Sequence, residues 1–256
     1  MKKTLDKFPY FNLSPSQQFQ QSTKISTLFK ETQKNTNNWP QEWVDVNFKG
    51  YPRFMRIKLP EAKSSRSLSL YDAFYKRHSF REYGSQGFTI PELSELLFHS
   101  AGVKLKDQKD QGNRPYPSAG ARYPLEIYPL ILNVTDLKSG IYHYHLRSHS
   151  LEYLWTFPNI KKVIVSNFNQ KWIHKAAVIF VVSAVFWRME VKYGDRGYRN
   201  TLMEAGMLTQ NIYLTATTMN LACCSIGGFI DDKLHKLIDI DGEEEAVVTS
   251  IALGHY

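Results

Sequence analysis

Cysteine is almost missing from this 256-residue chain; two occur, and they are neighbours, Cys223 and Cys224. Adjacent cysteines rarely bridge each other, and no CxxC or Cys/His cluster of metal spacing accompanies them, which speaks against a disulfide scaffold or a zinc module. The pair reads as small buried apolar residues in a reducing compartment, so a cytoplasmic location is expected. Long apolar runs are lacking too. The longest, residues 176–187, is too short and too polar-flanked to span a bilayer and reads as a buried strand. No apolar stretch follows the lysines of MKKTLDKFPYFNLS, so no signal peptide is expected. Repeats and low-complexity tracts are absent from the sequence. So is an acidic excess, with Lys+Arg 32 against Asp+Glu 24 and a net charge of +8. The basic residues are scattered and no nucleic-acid motif goes with them, so neither nucleic acid nor membrane is an expected partner. A phosphate-bearing cofactor or an acidic partner suits that charge. What is present is ordinary for a globular protein, 43% hydrophobic and 22% charged, and the length suits one domain with an extension.

Residues 1–64 form that extension. They are rich in Gln, Asn, Ser, Thr and Lys, yet Trp39, Trp43, Tyr51 and Phe54 argue against full disorder. Short helices and loops packed on the main domain or on a partner chain are expected. In residues 65–256 the pattern tightens. Ser69 caps a helix reaching Arg77, and Thr89-Ile-Pro-Glu92 opens a second that stops at Gly102. A loop over residues 104–123 precedes a strand at 125–132, a hairpin at 141–155, a helix at 160–167 and a strand at 177–186. Residues 198–220 carry Leu202, Ala205, Leu208, Ile212 and Ala216 at helical spacing, with Met203, Met207 and Tyr213 in a second stripe. Such a helix needs cover on more than one side, as a spine or as a dimer interface. A strand at 222–226, a helix at 232–238 and a strand at 246–253 follow. Interleaving without a βαβ rhythm predicts an α+β layered sheet.

Four segments carry candidate chemistry. Residues 189–199, Met-Glu-Val-Lys-Tyr-Gly-Asp-Arg-Gly-Tyr-Arg, set Lys192 beside Tyr193 at the mouth of the long helix. A lysine acts as a base only where its surroundings favour the free amine, and the crowded basic run works in that direction. A solvated basic turn is the alternative. Arg77, Ser79 and Arg81 offer forked donors and a hydroxyl suited to a phosphate and a polar ring edge, although arginines ending a helix also complement its dipole. Pro117, Ser118, Ala119 and Gly120 lie in a stiff, small-residue loop that lets backbone approach a flat ligand, or simply makes a turn. Gly227 and Gly228 expose backbone N–H groups that can meet an electron-rich atom.

Together these segments resemble the nitroreductase-like flavoproteins, and more closely the FMN-dependent azoline dehydrogenases of the microcin B17 and streptolysin S type. The resemblance covers about residues 65–256 and rests on R-x-S-x-R, R-P-Y-P-S-A-G-A-x-Y-P-L-E, G-I-Y-H-Y, K-Y-x-x-R-G-Y-R, E-A-G-x-x-x-Q-N and G-G-F. The lysine-tyrosine element sets that branch apart from ordinary nitroreductases. The resemblance implies a three-layer αβα sandwich with a mainly antiparallel sheet, and a homodimer with FMN at two sites between subunits. It implies that Arg77, Ser79 and Arg81 hold the FMN phosphate and pyrimidine edge. Residues Pro117, Ser118, Ala119 and Gly120 would then line the isoalloxazine from the other subunit, with Gly227 and Gly228 near N5. By the same resemblance, Lys192 and Tyr193 serve azoline oxidation, and the partners are cyclodehydratase proteins and a precursor peptide. Many nitroreductases also grip the phosphate with a Lys or Arg after the position of Gly254-His255-Tyr256, a role that by this resemblance falls to other basic residues or is absent. The competing readings are an NAD(P)H-dependent nitroreductase or quinone reductase, and a non-catalytic flavin-binding subunit of a peptide-modifying complex.

Overall fold

The computed structural model describes residues 13–24, 40–45, 48–62, 68–103 and 112–256. Trp39 of the extension and the first part of the expected 104–123 loop lie outside them. The strands are β1 (Met55–Lys58), β2 (Leu125–Ile131), β3 (Gly140–His145), β4 (Ser150–Trp155), β5 (Val178–Val185), β6 (Ala222–Ile226) and β7 (Glu245–Gly254). They pair in the order β1-β4-β3-β2-β5-β7-β6, and every pairing is antiparallel. The helices are α1 (Pro15–Ser22), α2 (Gln41–Val44), α3 (Leu70–Lys76), α4 (Ile90–Ala101), α5 (Ile160–Val165), α6 (Trp187–Tyr193), α7 (Asp195–Thr218) and α8 (Asp231–Ile238).

Strand residues alternate between two buried faces, as a pleat of period two requires. Leu125, Ile127, Phe180 and Val182 pack in one core with Leu93, Leu96 and Leu97 of α4 and with Leu208 and Ile212 of α7. Tyr128, Leu130, Ile179 and Val181 pack in the other with Ile160 and Ile164 of α5 and Leu234 and Ile238 of α8. Helices on both faces of an antiparallel sheet make the α+β, three-layer arrangement expected from the sequence. The caps are as read. Ser69 accepts from the Asp72 N–H, and Thr89 and Glu92 close a reciprocal capping box on α4.

Three differences matter. The extension supplies β1, an edge strand on β4 that periodicity did not announce, because only Ile57 of its four residues is even half-buried. Helix α7 starts at Asp195, three residues before the expected 198, and α6 is a separate short helix before it. On α7, Tyr198, Leu202, Met203 and Met207 remain exposed, so one apolar side of the spine is uncovered among the described residues. No helix among the described residues is long and apolar enough to cross a membrane.

Candidate active site

Lys192 and Tyr193 occupy the last turn of α6, not a loop at the mouth of α7. Gly194, at φ 55° and ψ −147°, separates the two helices in a conformation that side-chain-bearing residues rarely adopt. The arginines that follow turn elsewhere. Arg196 donates to the Thr23 carbonyl at 3.2 Å, and Arg199 donates to Gln20 Oε1 at 2.9 Å and to the Thr23 hydroxyl. Phe19 meets Tyr198 edge-on at 5.5 Å. The basic run therefore anchors α1 as well as flanking the lysine.

The lysine-tyrosine pair meets the Pro117–Gly120 segment. A β-carbon added at Gly120 would lie 2.6 Å from Tyr193 Oη and 2.8 Å from Lys192 Nζ, so both side-chain tips close directly on this turn and would have to move for any larger residue. Gly120, Ala121 and Tyr123 all have positive φ (61°, 54° and 47°), a costly run for residues with side chains. Such strain persists only where the surroundings hold it. Ser118 Oγ accepts the Tyr123 N–H at 2.8 Å. Arg122 Nε donates to the Arg188 carbonyl of α6 at 2.7 Å, and Arg188 Nη1 donates back to the Tyr123 carbonyl at 3.3 Å. These reciprocal bonds fasten the helix bearing Lys192 to the turn beneath it.

Arg188 also ends a buried chain of charges running in from the sheet edge. Its Nη1 lies 2.6 Å from Glu126 Oε1 on β2, and Glu126 Oε2 lies 3.1 Å from His143 Nε2 on β3. His143 Nδ1 lies 2.9 Å from Glu152 Oε2 on β4, whose Oε1 meets Arg56 Nη2 of β1 at 2.5 Å. Tyr51 N–H donates to the same Glu152, so the extension closes over the chain. Burial would raise the Glu126 carboxyl, but Arg188 and His143 outweigh it and bring it to about 2. Glu152, raised by burial, is likewise brought to about 2 by His143, Arg56 and the Tyr51 N–H. Burial lowers His143, yet its two carboxylate partners raise it above its ordinary value.

The remaining motifs gather at the other end of α7. Ser79 and Tyr213 share a hydroxyl–hydroxyl bond of 2.9 Å, and the Ser225 N–H donates to the same Tyr213 oxygen at 2.7 Å. The Arg77 guanidinium stands over the Tyr213 ring at 5.5 Å. Tyr213 thus joins R-x-S-x-R to the strand leading into Gly227 and Gly228. Among the described residues Gly227 faces open space, whereas Gly228 packs under Gln170. Neither Arg77 nor Arg81 makes an ion pair among the described residues. Two available guanidiniums beside bare backbone suit a flat ligand with an anionic end. A cleft of about 480 Å³ lies among α6, the start of α7, α8 and the start of β7, with Phe186, Glu190, Tyr198 and Phe229 among its walls; none of the sequence-predicted site residues lines it.

Sequence reasoning gave Glu204, Arg114, Tyr213, Arg188 and the Glu126–His143–Glu152 chain no role. Charged residues inside LEIYPLI, GIYHYH and SLEYLW were the available signal, since buried strands rarely carry them unpaired.

The model described as Nitroreductase family matches residues 75–255. The chain belongs to the nitroreductase family. The nitroreductase-like protein MJ1384 of Methanocaldococcus jannaschii is 35% identical over 186 residues, 73% of this chain and 90% of that protein. The microcin B17-processing protein McbC of Escherichia coli is 33% identical over 161 residues, 60% of this chain and 57% of that protein. A nitroreductase-like structure from Anabaena variabilis superposes with a TM-score of 0.68 at 27% identity, covering 80% of this chain and 42% of that one. A chain of the E. coli microcin synthetase McbBCD complex with truncated pro-MccB17 bound shares the fold at a TM-score of 0.60 and 23% identity, covering 93% of this chain and 86% of that one. The chain thus spans less than two thirds of McbC and of the Anabaena protein. The match to McbC supports the resemblance to the microcin B17 branch of the family, and the synthetase chain shows the shared fold.

Proposed function

We propose that this protein is an FMN-dependent dehydrogenase that converts azoline rings of a ribosomally made peptide to azoles. It works in the cytoplasm as a homodimer, beside cyclodehydratase partner proteins. The observation that carries this reading is the seat of Lys192 and Tyr193 on the Gly120 turn, where an amine and a phenol converge over bare backbone. FMN, when bound, supplies the two-electron acceptor for a hydride. Arg77, Ser79 and Arg81 hold its phosphate and pyrimidine edge, and Gly227 and Gly228 present N–H groups. Ser118 to Gly120, with Pro117, line the ring from the second copy. Lys192 takes the proton from the azoline ring carbon at Nζ. Loss of that proton and of a hydride balances the two-electron oxidation to an azole. Tyr193 orients the ring through its hydroxyl.

The test is anaerobic flavin reduction, with an azoline peptide and separately with NADPH. Reduction by the peptide that disappears in Lys192→Ala supports the proposal. The match to MJ1384 along 90% of that protein favours a second reading, an NAD(P)H-dependent nitroreductase or quinone reductase. Reduction by NADPH alone, unaffected by Lys192→Ala, would put that reading in its place.

A further inference from the structure

Under the turn lies a polar cluster with no assigned task. Glu204 of α7 is 2% exposed, and neither of its carboxyl oxygens has a hydrogen-bond partner among the described residues. Arg114 faces it, also buried. Its Nη1 donates to Tyr116 Oη at 3.0 Å and to the Leu125 carbonyl at 3.3 Å, while Nε and Nη2 are unpartnered among the described residues. Buried polar atoms left in such numbers in one place are uncommon, and each needs a reason. Above them, the Ser118 oxygen accepts the Tyr123 N–H, which leaves the Ser118 proton to donate. The Glu204 carboxyl is within that hydroxyl's reach, although it does not meet it at bonding geometry.

We propose that Glu204 is a positioning residue of this site, acting through Ser118 to set the Pro117–Gly120 turn beneath Lys192 and Tyr193. The proposal rests on reading that turn as part of the FMN site. An ionised Glu204 draws the Ser118 O–H inward; a neutral one releases it toward the ligand. Burial pushes the Glu204 carboxyl up to about 7, against smaller pulls from Ser118 and Arg114. Tyr116, raised by burial to about 12, stays neutral. Burial opposes the charge on Arg114, but Tyr116, Glu126 and Glu204 outweigh it, so the guanidinium stays charged. Glu204 is therefore the group in this cluster that changes state near neutrality.

FMN affinity of the apoprotein, read by flavin fluorescence from about pH 5 to about pH 9, tests this in the parent, Glu204→Gln and Glu204→Asp. Ionisation of the FMN phosphate affects all three alike, so the ratio of parent to variant isolates the residue. The ratio of parent to Glu204→Gln affinity should fall by about tenfold across neutrality, the effect of losing one hydrogen bond to the anionic ligand. Glu204→Asp should retain the step. Infrared difference spectra of the ligand-free protein should show a carboxylate forming over the same range in the parent and not in Glu204→Gln. Identical pH profiles for parent and Glu204→Gln, or identical infrared spectra, would overturn the proposal. If no FMN binds at any pH, the functional reading falls instead, and the infrared step then upholds or overturns the role given to Glu204.

Discussion

At Lys192 the terminal amine, not the surrounding positive charge, is the informative feature. Its neighbours Arg196 and Arg199 are engaged with α1, whereas Nζ ends over Gly120. Replacing Lys192 with Ala removes a half-buried side chain outside the core, so flavin content should hold and stability should change by no more than about half a kcal/mol. Azoline oxidation should fall by about 10²–10⁴, the range for losing a general base, and Tyr193→Phe should lose less. Stopped-flow reduction at the parent rate in Lys192→Ala would refute the assignment. Glu126 presents a different case, a group whose loss strands two charges. Glu126→Gln leaves Arg188 and His143 short of a counter-charge in the interior and should cost about 3–5 kcal/mol in urea melts. The same chain sets a pH window. Glu126 and Glu152 are depressed in the fold, so their contribution is present above the unfolded carboxyl range and lost as pH falls toward about 2. His143 is raised, so its contribution is complete below its unfolded value of about 6.5 and is lost as pH rises through the folded value. Thermal stability should therefore be highest in mildly acidic buffer, and His143→Gln should flatten its decline toward alkaline pH. A parent melting curve unchanged from mildly acid to alkaline pH would contradict the charged state given to His143.

Elements with a local signature were legible in the sequence. The Ser69 and Thr89 caps, the 3.6-residue stripe of α7 and the apolar run of β5 are written within a few residues of one another. The break at Gly194 was not legible, because a glycine among arginines reads equally as loop or helix until its backbone angles are known. Strand β1 was hidden for a related reason, being an edge strand with no buried face of its own. The site divides in the same way. Lys192-Tyr193, the small-residue turn and the paired arginines announce themselves as contiguous motifs. The Arg56–Glu152–His143–Glu126–Arg188 chain draws one residue from each of four strands and a helix, and only the pairing order brings those together. Helix α1 is tied to the start of α7. Its described attachment to the domain runs through Phe19, Gln20 and Thr23 to Arg196, Tyr198 and Arg199. Arg199→Ala removes the Gln20 and Thr23 bonds and the stacking on Phe19 at 5.7 Å. Amide exchange in residues 15–22 should accelerate several-fold while that of α7 stays slow. Unchanged exchange in α1 would mean that other contacts hold it.

For the whole molecule, α7 governs what one chain can do alone. Glu204, beneath the turn, and Tyr213, between the paired arginines and Ser225, stand nine positions apart on this helix, or about 13 Å along its axis. The two halves of the proposed site therefore sit toward different ends of one spine. Between and beside them Leu202, Met203 and Met207 are uncovered among the described residues, with open space over Gly206 among the same residues. The proposed homodimer would bury this apolar stripe by pairing it with itself, since a symmetric interface presents the same patch twice. Solution mass should accordingly be twice that of the chain, and the purified protein should be yellow. Both properties belong to one assembly and should fail together. Met207→Glu places a charge in the middle of the stripe, where its desolvation opposes association without disturbing either core. Light scattering should report a monomer, and the flavin should be released as the dimer dissociates, even though no residue assigned to FMN has changed. A monomeric Met207→Glu protein that keeps its flavin would show that one chain completes the site alone.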